Sequence, residues 1–175
     1  MNPARRLACL RLVALAGFAT LAGGCGFQPV NTAALPFQTL YVTSPTYSSF
    51  GAEFRRFVES YSRTQLADAP AGADAVLEIL GEAQEKQILS LSTAGRVREF
   101  LLRYRVSFRL RDAAGRELIP ADTIVLERDL TYDDDAVLAK ENEEAFLYRD
   151  MQMDAVQQLV RRLAVADLAG GAAGG

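Results

Sequence analysis

Between residues 102 and 111 the chain alternates without interruption. Leu102, Tyr104, Val106, Phe108 and Leu110 fall on one side; Arg103, Arg105, Ser107, Arg109 and Arg111 fall on the other. Side chains of an extended strand point alternately to its two faces, so this run is a half-buried strand with a dry face and a basic face. Such a strand needs neighbours beside it and a layer over its apolar side.

The flanking residues supply both. Asp112, Ala113, Ala114, Gly115 and Arg116 make a compact turn, with glycine for a positive-φ position, leading into a strand over residues 117–132. Pro120 sits near the start of that strand, where it harms the ladder least. Before the alternating run, residues 75–91 form another strand, with Leu77, Ile79, Gly81 and Ala83 on one face and Glu78, Glu82 and Gln84 on the other. A short strand over residues 37–43 comes first and is broken at Ser44-Pro45. Ser48 or Ser49 then caps a helix whose Phe50, Phe54, Phe57, Val58 and Tyr61 recur at helical spacing, a stripe for core packing. Asp133, Asp134 and Asp135 open a second helix, where the helix dipole favours acids. It runs to about residue 166 and buries Tyr148, Met151, Ala155, Val156, Leu159, Val160 and Leu163, with a bend or frayed end expected over such a length. The order β-α-β-β-β-α is that of an α+β two-layer sandwich: a four-stranded, mostly antiparallel sheet with two helices on one face. The other face is polar or covered by something else.

The 175 residues contain no histidine. A Ser–His–Asp triad, a Cys–His pair and histidine-ligated metal sites are therefore excluded. Of 19 basic residues only Lys86 and Lys140 are lysines, so the rest are arginines, suited to bidentate phosphate or carboxylate contact and unable to act as bases. No phosphate-cradling glycine loop and no nucleophile elbow is present, and the acidic run at 133–135 lacks calcium-loop spacing. No catalytic residue, metal ligand or cofactor is assigned. A carboxylate-pair hydrolase is the weakest of the alternatives.

The N-terminus reads as an address. Arg5, Arg6 and Arg11 precede an apolar run over residues 12–22, too short to span a bilayer but right for a signal peptide. Leu21, Ala22, Gly23 and Gly24 lead into Cys25, a lipobox-like sequence with leucine one step further back than usual. Residues 1–24 are thus a lipoprotein signal peptide, 25–36 a lipidated cysteine and tether, 37–167 the folded domain and 168–175 a tail. Cleavage before Cys25 leaves 16 basic against 22 acidic residues. Acyl chains on Cys25 contribute ~0.8 kcal/mol per buried CH₂, so two or more hold the protein to a membrane. Gly26, where aspartate would favour inner-membrane retention, points to the outer membrane, on its periplasmic side. The alternative is an ordinary secreted protein with Cys25 free or disulfide-bonded.

Three groups of residues are candidates for contact. Arg103, Arg105, Arg109 and Arg111 form a row that suits phosphates, unless Glu78, Glu82, Glu117, Glu127 and Asp129 on neighbouring strands neutralise it. The loop around residues 90–99 carries Arg96 and Arg98 at its exit. Lys140 stands four residues before Glu144, a spacing that equally suits a surface ion pair. The acidic balance and the lipoprotein address argue against nucleic acid.

Cys25-Gly26-Phe27, a tether, this order of elements and Ala139-Lys140-Glu141-Asn142-Glu143 at the last helix together resemble the LptE family of lipopolysaccharide-assembly lipoproteins. Arg162-Leu163 resembles the step near the end of that family's final helix. The resemblance implies an outer-membrane, non-catalytic protein that plugs the LptD β-barrel, helps it fold and binds lipopolysaccharide. It implies ligand contacts at Lys140 and in the loop holding Arg96 and Arg98, and a barrel lumen facing the arginine row. A runner-up of another class is an auxiliary lipoprotein of an ABC-type lipid transporter.

Overall fold

A computed structural model describes residues 34–166; the expected signal peptide at 1–24, Cys25 and the expected tail at 168–175 lie outside the described residues. The elements are β1 (Thr39–Thr43), α1 (Ser49–Tyr61), β2 (Gln65–Leu66), β3 (Ala75–Leu91), β4 (Val97–Asp112), β5 (Glu117–Thr131), a 3₁₀ turn (Asp134–Ala136) and α2 (Val137–Ala164). They build one sheet in the order β2-β1-β3-β4-β5. β1 runs parallel to both of its neighbours, while β3, β4 and β5 form an antiparallel meander. The α+β class is as expected, but the sheet has five strands instead of four. The additional strand, β2, is only two residues long and leaves no period in the sequence.

Local chemistry sets the boundaries. The Ser48 hydroxyl accepts from Gly51 N–H at 3.2 Å and caps α1. Asp74 accepts from the N–H groups of Gln38 and Thr39 at 2.9 and 2.8 Å, fixing the start of β1. Those bonds hold its carboxyl below the usual range. In the β4–β5 turn, Asp112 accepts from Ala114 and Arg116 N–H, and Gly115 takes φ +83°. Pro120 falls where the β4–β5 register shifts, between Ile119 and Asp122, on an edge strand that needs no N–H there.

Both helices pack on the face that carries Leu102, Tyr104, Val106, Phe108 and Leu110. Phe50, Phe54 and Val58 come from α1, and Met151, Ala155, Val156, Leu159, Val160 and Leu163 from α2. A fully buried leucine or phenylalanine contributes ~1.5–3 kcal/mol, so stability is concentrated in this half of the sandwich. α2 is one 28-residue helix whose buried residues begin only at Met151; Tyr148, expected in the core, is partly buried. Its irregular end is the 3₁₀ turn that precedes it.

One inserted residue divides β3. Leu77 and Ile79 stand opposite Leu110 and Phe108, but the register shifts between Ile79 and Gly81, leaving Leu80 as a bulge. Past it, Glu82, Gln84 and Lys86 stand opposite Val106, Tyr104 and Leu102 on the helix side. Gly81, Ala83 and Glu85 stand opposite Ser107, Arg105 and Arg103 on the outer side. The expected faces are therefore reversed above Leu80: Gly81 and Ala83 leave the apolar face, and Glu82 leaves the arginine row. Above Leu80 the β3 lane of the inner face is polar, while Leu102, Val106 and Leu130 keep the β4 and β5 lanes buried.

Candidate functional site

The upper end of the sheet is formed by the β3–β4 hairpin, the end of β5 and the start of α2. Gly95 takes φ +76° in the hairpin, Ser92 N–H donates to Arg96 O at 2.7 Å, and Ser92 Oγ accepts from Arg96 N–H at 3.1 Å. Tyr132 N–H donates to Arg98 O at 2.7 Å, tying the hairpin to the end of β5. The Arg96 guanidinium lies 3.9 Å from Asp134, with 73% of its side chain exposed. Arg98 is exposed and makes no ion pair among the described residues. Lys140 follows on the first turn of α2.

Lys140 pairs with Glu143 at 2.8 Å, and not with Glu144 four residues on. Glu144 is taken by Lys86, 2.5 Å away across the inner face. Lys86 also lies 4.2 Å from the centroid of the Phe100 ring, which meets Tyr132 edge-on at 5.2 Å. Lys86 was not among the expected site residues. Its only mark in the sequence is that it is one of two lysines. Around these cations Ile88, Leu89, Leu91, Val137 and Leu138 are exposed, Leu138 to 76%. The end of the molecule thus sets four cations, three of them ion-paired, among exposed apolar side chains and the carboxylates of Asp133–Asp135 and the first turns of α2.

The arginine row lies on the outer face and is internally paired. Arg109 and Arg111 share Glu78, Arg111 at 3.7 Å. Arg103 meets Glu127 at 2.7 Å and Glu85 at 3.6 Å, and Arg105 also meets Glu85. Of the expected partners, Glu78 and Glu127 serve. Glu82 is turned to the other face by the bulge, Glu117 and Asp129 make no such pair, and Glu85 takes their place. Four guanidiniums against three carboxylates leave a small positive excess. Arg111 Nε is buried without a hydrogen-bond partner.

Glu82 stands where the dry core meets the polar upper part of β3. It accepts from the Tyr104 hydroxyl at 2.7 Å, Ser48 Oγ at 2.8 Å, Ser49 Oγ at 3.1 Å and Phe50 N–H at 3.1 Å. Burial acts to raise its pKa, but the hydrogen bonds outweigh it and hold the carboxyl below its ordinary value. Burial, then the bond to Glu82, pushes the Tyr104 phenol far up, so it remains a donor. This network joins α1 to the sheet. Every acceptor site on Glu82 is occupied from within the fold, so its role is structural. Among the described residues no group of three or more Cys, Asp or Glu side chains is placed to hold a metal ion.

A family model for lipopolysaccharide assembly, LptE, matches residues 37–163. The solution structure of uncharacterized lipoprotein B from Nitrosomonas europaea is similar at 40% identity and a TM-score of 0.73, over 83% of this chain and 94% of that one. Rare lipoprotein B from Shewanella oneidensis shares the fold at 24% identity and a TM-score of 0.64, over 72% and 93% of the two chains. The minor lipoprotein from Acinetobacter baumannii does so at 23% and 0.60, over 74% and 92%. No curated protein sequence matches the chain. Among the described residues no helix is long and apolar enough to cross a membrane. The matched family is non-catalytic, and its model spans the sheet and nearly all of α2. With the fold, the order of elements and that match in agreement, the chain belongs to the LptE family of lipopolysaccharide-assembly lipoproteins.

Proposed function

We propose that the chain is an outer-membrane lipoprotein, processed before Cys25 and held there by acyl chains on that cysteine. Its domain plugs the lumen of an LptD-type β-barrel, assists the folding of that barrel, and binds lipopolysaccharide on its way to the cell surface. Arg96, Arg98 and Lys140 meet the lipid A phosphates. Arg103, Arg105, Arg109 and Arg111, with their carboxylates, face the polar wall of the barrel, where paired charges and hydrogen bonds are better tolerated than an apolar patch.

The observation that carries this reading is the upper end of the sheet. An exposed Arg98, unpaired among the described residues, and a loosely paired Arg96 stand beside exposed Ile88, Leu89, Leu91 and Leu138. Lipopolysaccharide presents the matching chemistry, phosphate groups next to acyl chains. The test is binding of purified lipopolysaccharide to the lipidated protein with Arg96→Asp and Lys140→Asp combined. Weakened binding supports the site. Unchanged binding removes it and leaves the barrel role standing.

A further inference from the structure

β1 ends at Thr43, opposite Glu78, whereas β3 continues to Leu91. From Ile79 upward, β3 is paired on one side with β4, and no strand of the described residues lies along its other side. Register shifts at Leu80 and between Ile88 and Leu91 interrupt it, so the regular open edge is the stretch 81–88, about 26 Å long. Alternate residues of an antiparallel strand turn N–H and C=O away from their partner, so this edge carries a row of main-chain donors and acceptors.

The two long edges of the sheet differ. Both carry register shifts, but β5 also has Pro120, which cannot donate to a new partner, and Asp122, Glu127, Arg128 and Asp129, devices that discourage strand pairing. The upper part of β3 has no proline, and Leu80, Ile88, Leu89 and Leu91 are exposed there by 43–59%. Beside its inner face lies a groove of about 660 Å³ lined by Ser49, Gln84, Lys86, Tyr148 and Gln152 among others. α2 is held beside the groove by the Lys86–Glu144 pair and by the Tyr148 hydroxyl, which donates to Glu85 O at 2.7 Å.

We propose that the upper edge of β3 is a strand-addition site that takes an extended segment of the barrel partner, in line with β1 and beyond its end. The inference rests on the barrel reading above and says which surface carries it. A row of main-chain groups selects an extended polypeptide over a lipid or a helix, because only an extended backbone matches it bond for bond. Lower in the sheet β1 already occupies that lane, so an added strand continues an existing geometry. The apolar side chains at 88, 89 and 91 receive one end of the segment, and the polar groove receives side chains along the rest.

The experiment uses the full-length lipidated protein in membranes, with a photoreactive residue at Gln87 or Leu89 on this edge, or at Val125 on β5. Complexes are solubilised and purified before the crosslinked segment is read. The expected result is one contiguous barrel segment crosslinked from both β3 positions, with little from Val125. Amides of residues 80–91 should exchange at least ~10-fold more slowly in the complex than in the free protein. A co-purifying barrel crosslinked mainly from Val125, a crosslink between two copies of this chain, or unchanged exchange would overturn the site alone. Absence of any barrel from the purified material would overturn the barrel reading and this inference together.

Discussion

The Tyr104 hydroxyl donates to Glu82 Oε1 at 2.7 Å, at the level where the dry core gives way to the polar upper part of β3. Tyr104 is fully buried, so removing its acceptor leaves an unsatisfied hydroxyl and also strips the N-terminus of α1 of a carboxylate. Glu82→Ala should cost ~2–4 kcal/mol, and Glu82→Gln less, read from urea midpoints near neutral pH. The sign of the pH dependence follows from the lowered pKa. Stability from Glu82 is complete above the ordinary value of 4.5 and is lost as pH falls through the folded-state value below it. The gap between wild type and Glu82→Gln should therefore narrow on acidification to about pH 3. A gap that widens would contradict the assignment.

Gly51 sits in the first turn of α1, where a Cβ would lie 2.4 Å from Ser44 Oγ and 2.6 Å from Ser44 Cβ. Ser44 is in turn approached by Arg55, which also donates to Val42 O at 3.0 Å, so the serine has little room to retreat. Gly51→Ala should destabilise the fold by ~1–3 kcal/mol through overpacking, although alanine is the better helix former. Thermal unfolding of the purified variant measures this. A raised midpoint would show that the α1–β1 contact yields easily.

Partly exposed ion pairs such as those of the arginine row contribute little each. Arg105→Ala and Arg109→Ala should each cost less than ~1 kcal/mol, with the loss shrinking in high salt. Denaturant titrations at low and high ionic strength check both statements. A loss of several kcal/mol, insensitive to salt, would mean that the row acts as a buried network.

At the upper end of the sheet, Arg96→Asp with Lys140→Asp should weaken lipopolysaccharide binding by at least ~10-fold, each lost phosphate contact being worth ~1.5–3 kcal/mol. The control Arg105→Asp, on the outer face, should bind as wild type does. Equal losses from both would indicate a general charge effect and not a site.

Much of this architecture is legible in the residues. Leu102 to Arg111 announce their strand because a period of two over ten residues has few other readings, and the helical spacing from Met151 to Leu163 likewise identifies its helix. The bulge at Leu80 is different. One inserted residue reverses the side chains that follow as far as Ile88, where the register shifts again, which is why Glu82 is expected beside the arginines and is found under Tyr104. β2 escapes because two residues cannot show a period. The alternative reading of Lys140, an ion pair with Glu144, fails because Glu144 is claimed by Lys86, 58 residues away in sequence, and only tertiary packing reveals that competition. The cationic hairpin is legible as composition; its apolar surround at Ile88, Leu89 and Leu138 emerges only when the strand end and the helix start are brought to the same end of the sheet.

The central claim is that this lipoprotein works inside an outer-membrane barrel. It is tested most directly by purifying the tagged, lipidated protein from detergent-solubilised membranes and identifying what comes with it. The account predicts a large β-barrel protein in near-equal amount, retained through size-exclusion chromatography. Recovery of an inner-membrane permease or a periplasmic lipid-binding subunit in its place, or of the lipoprotein alone, would contradict it.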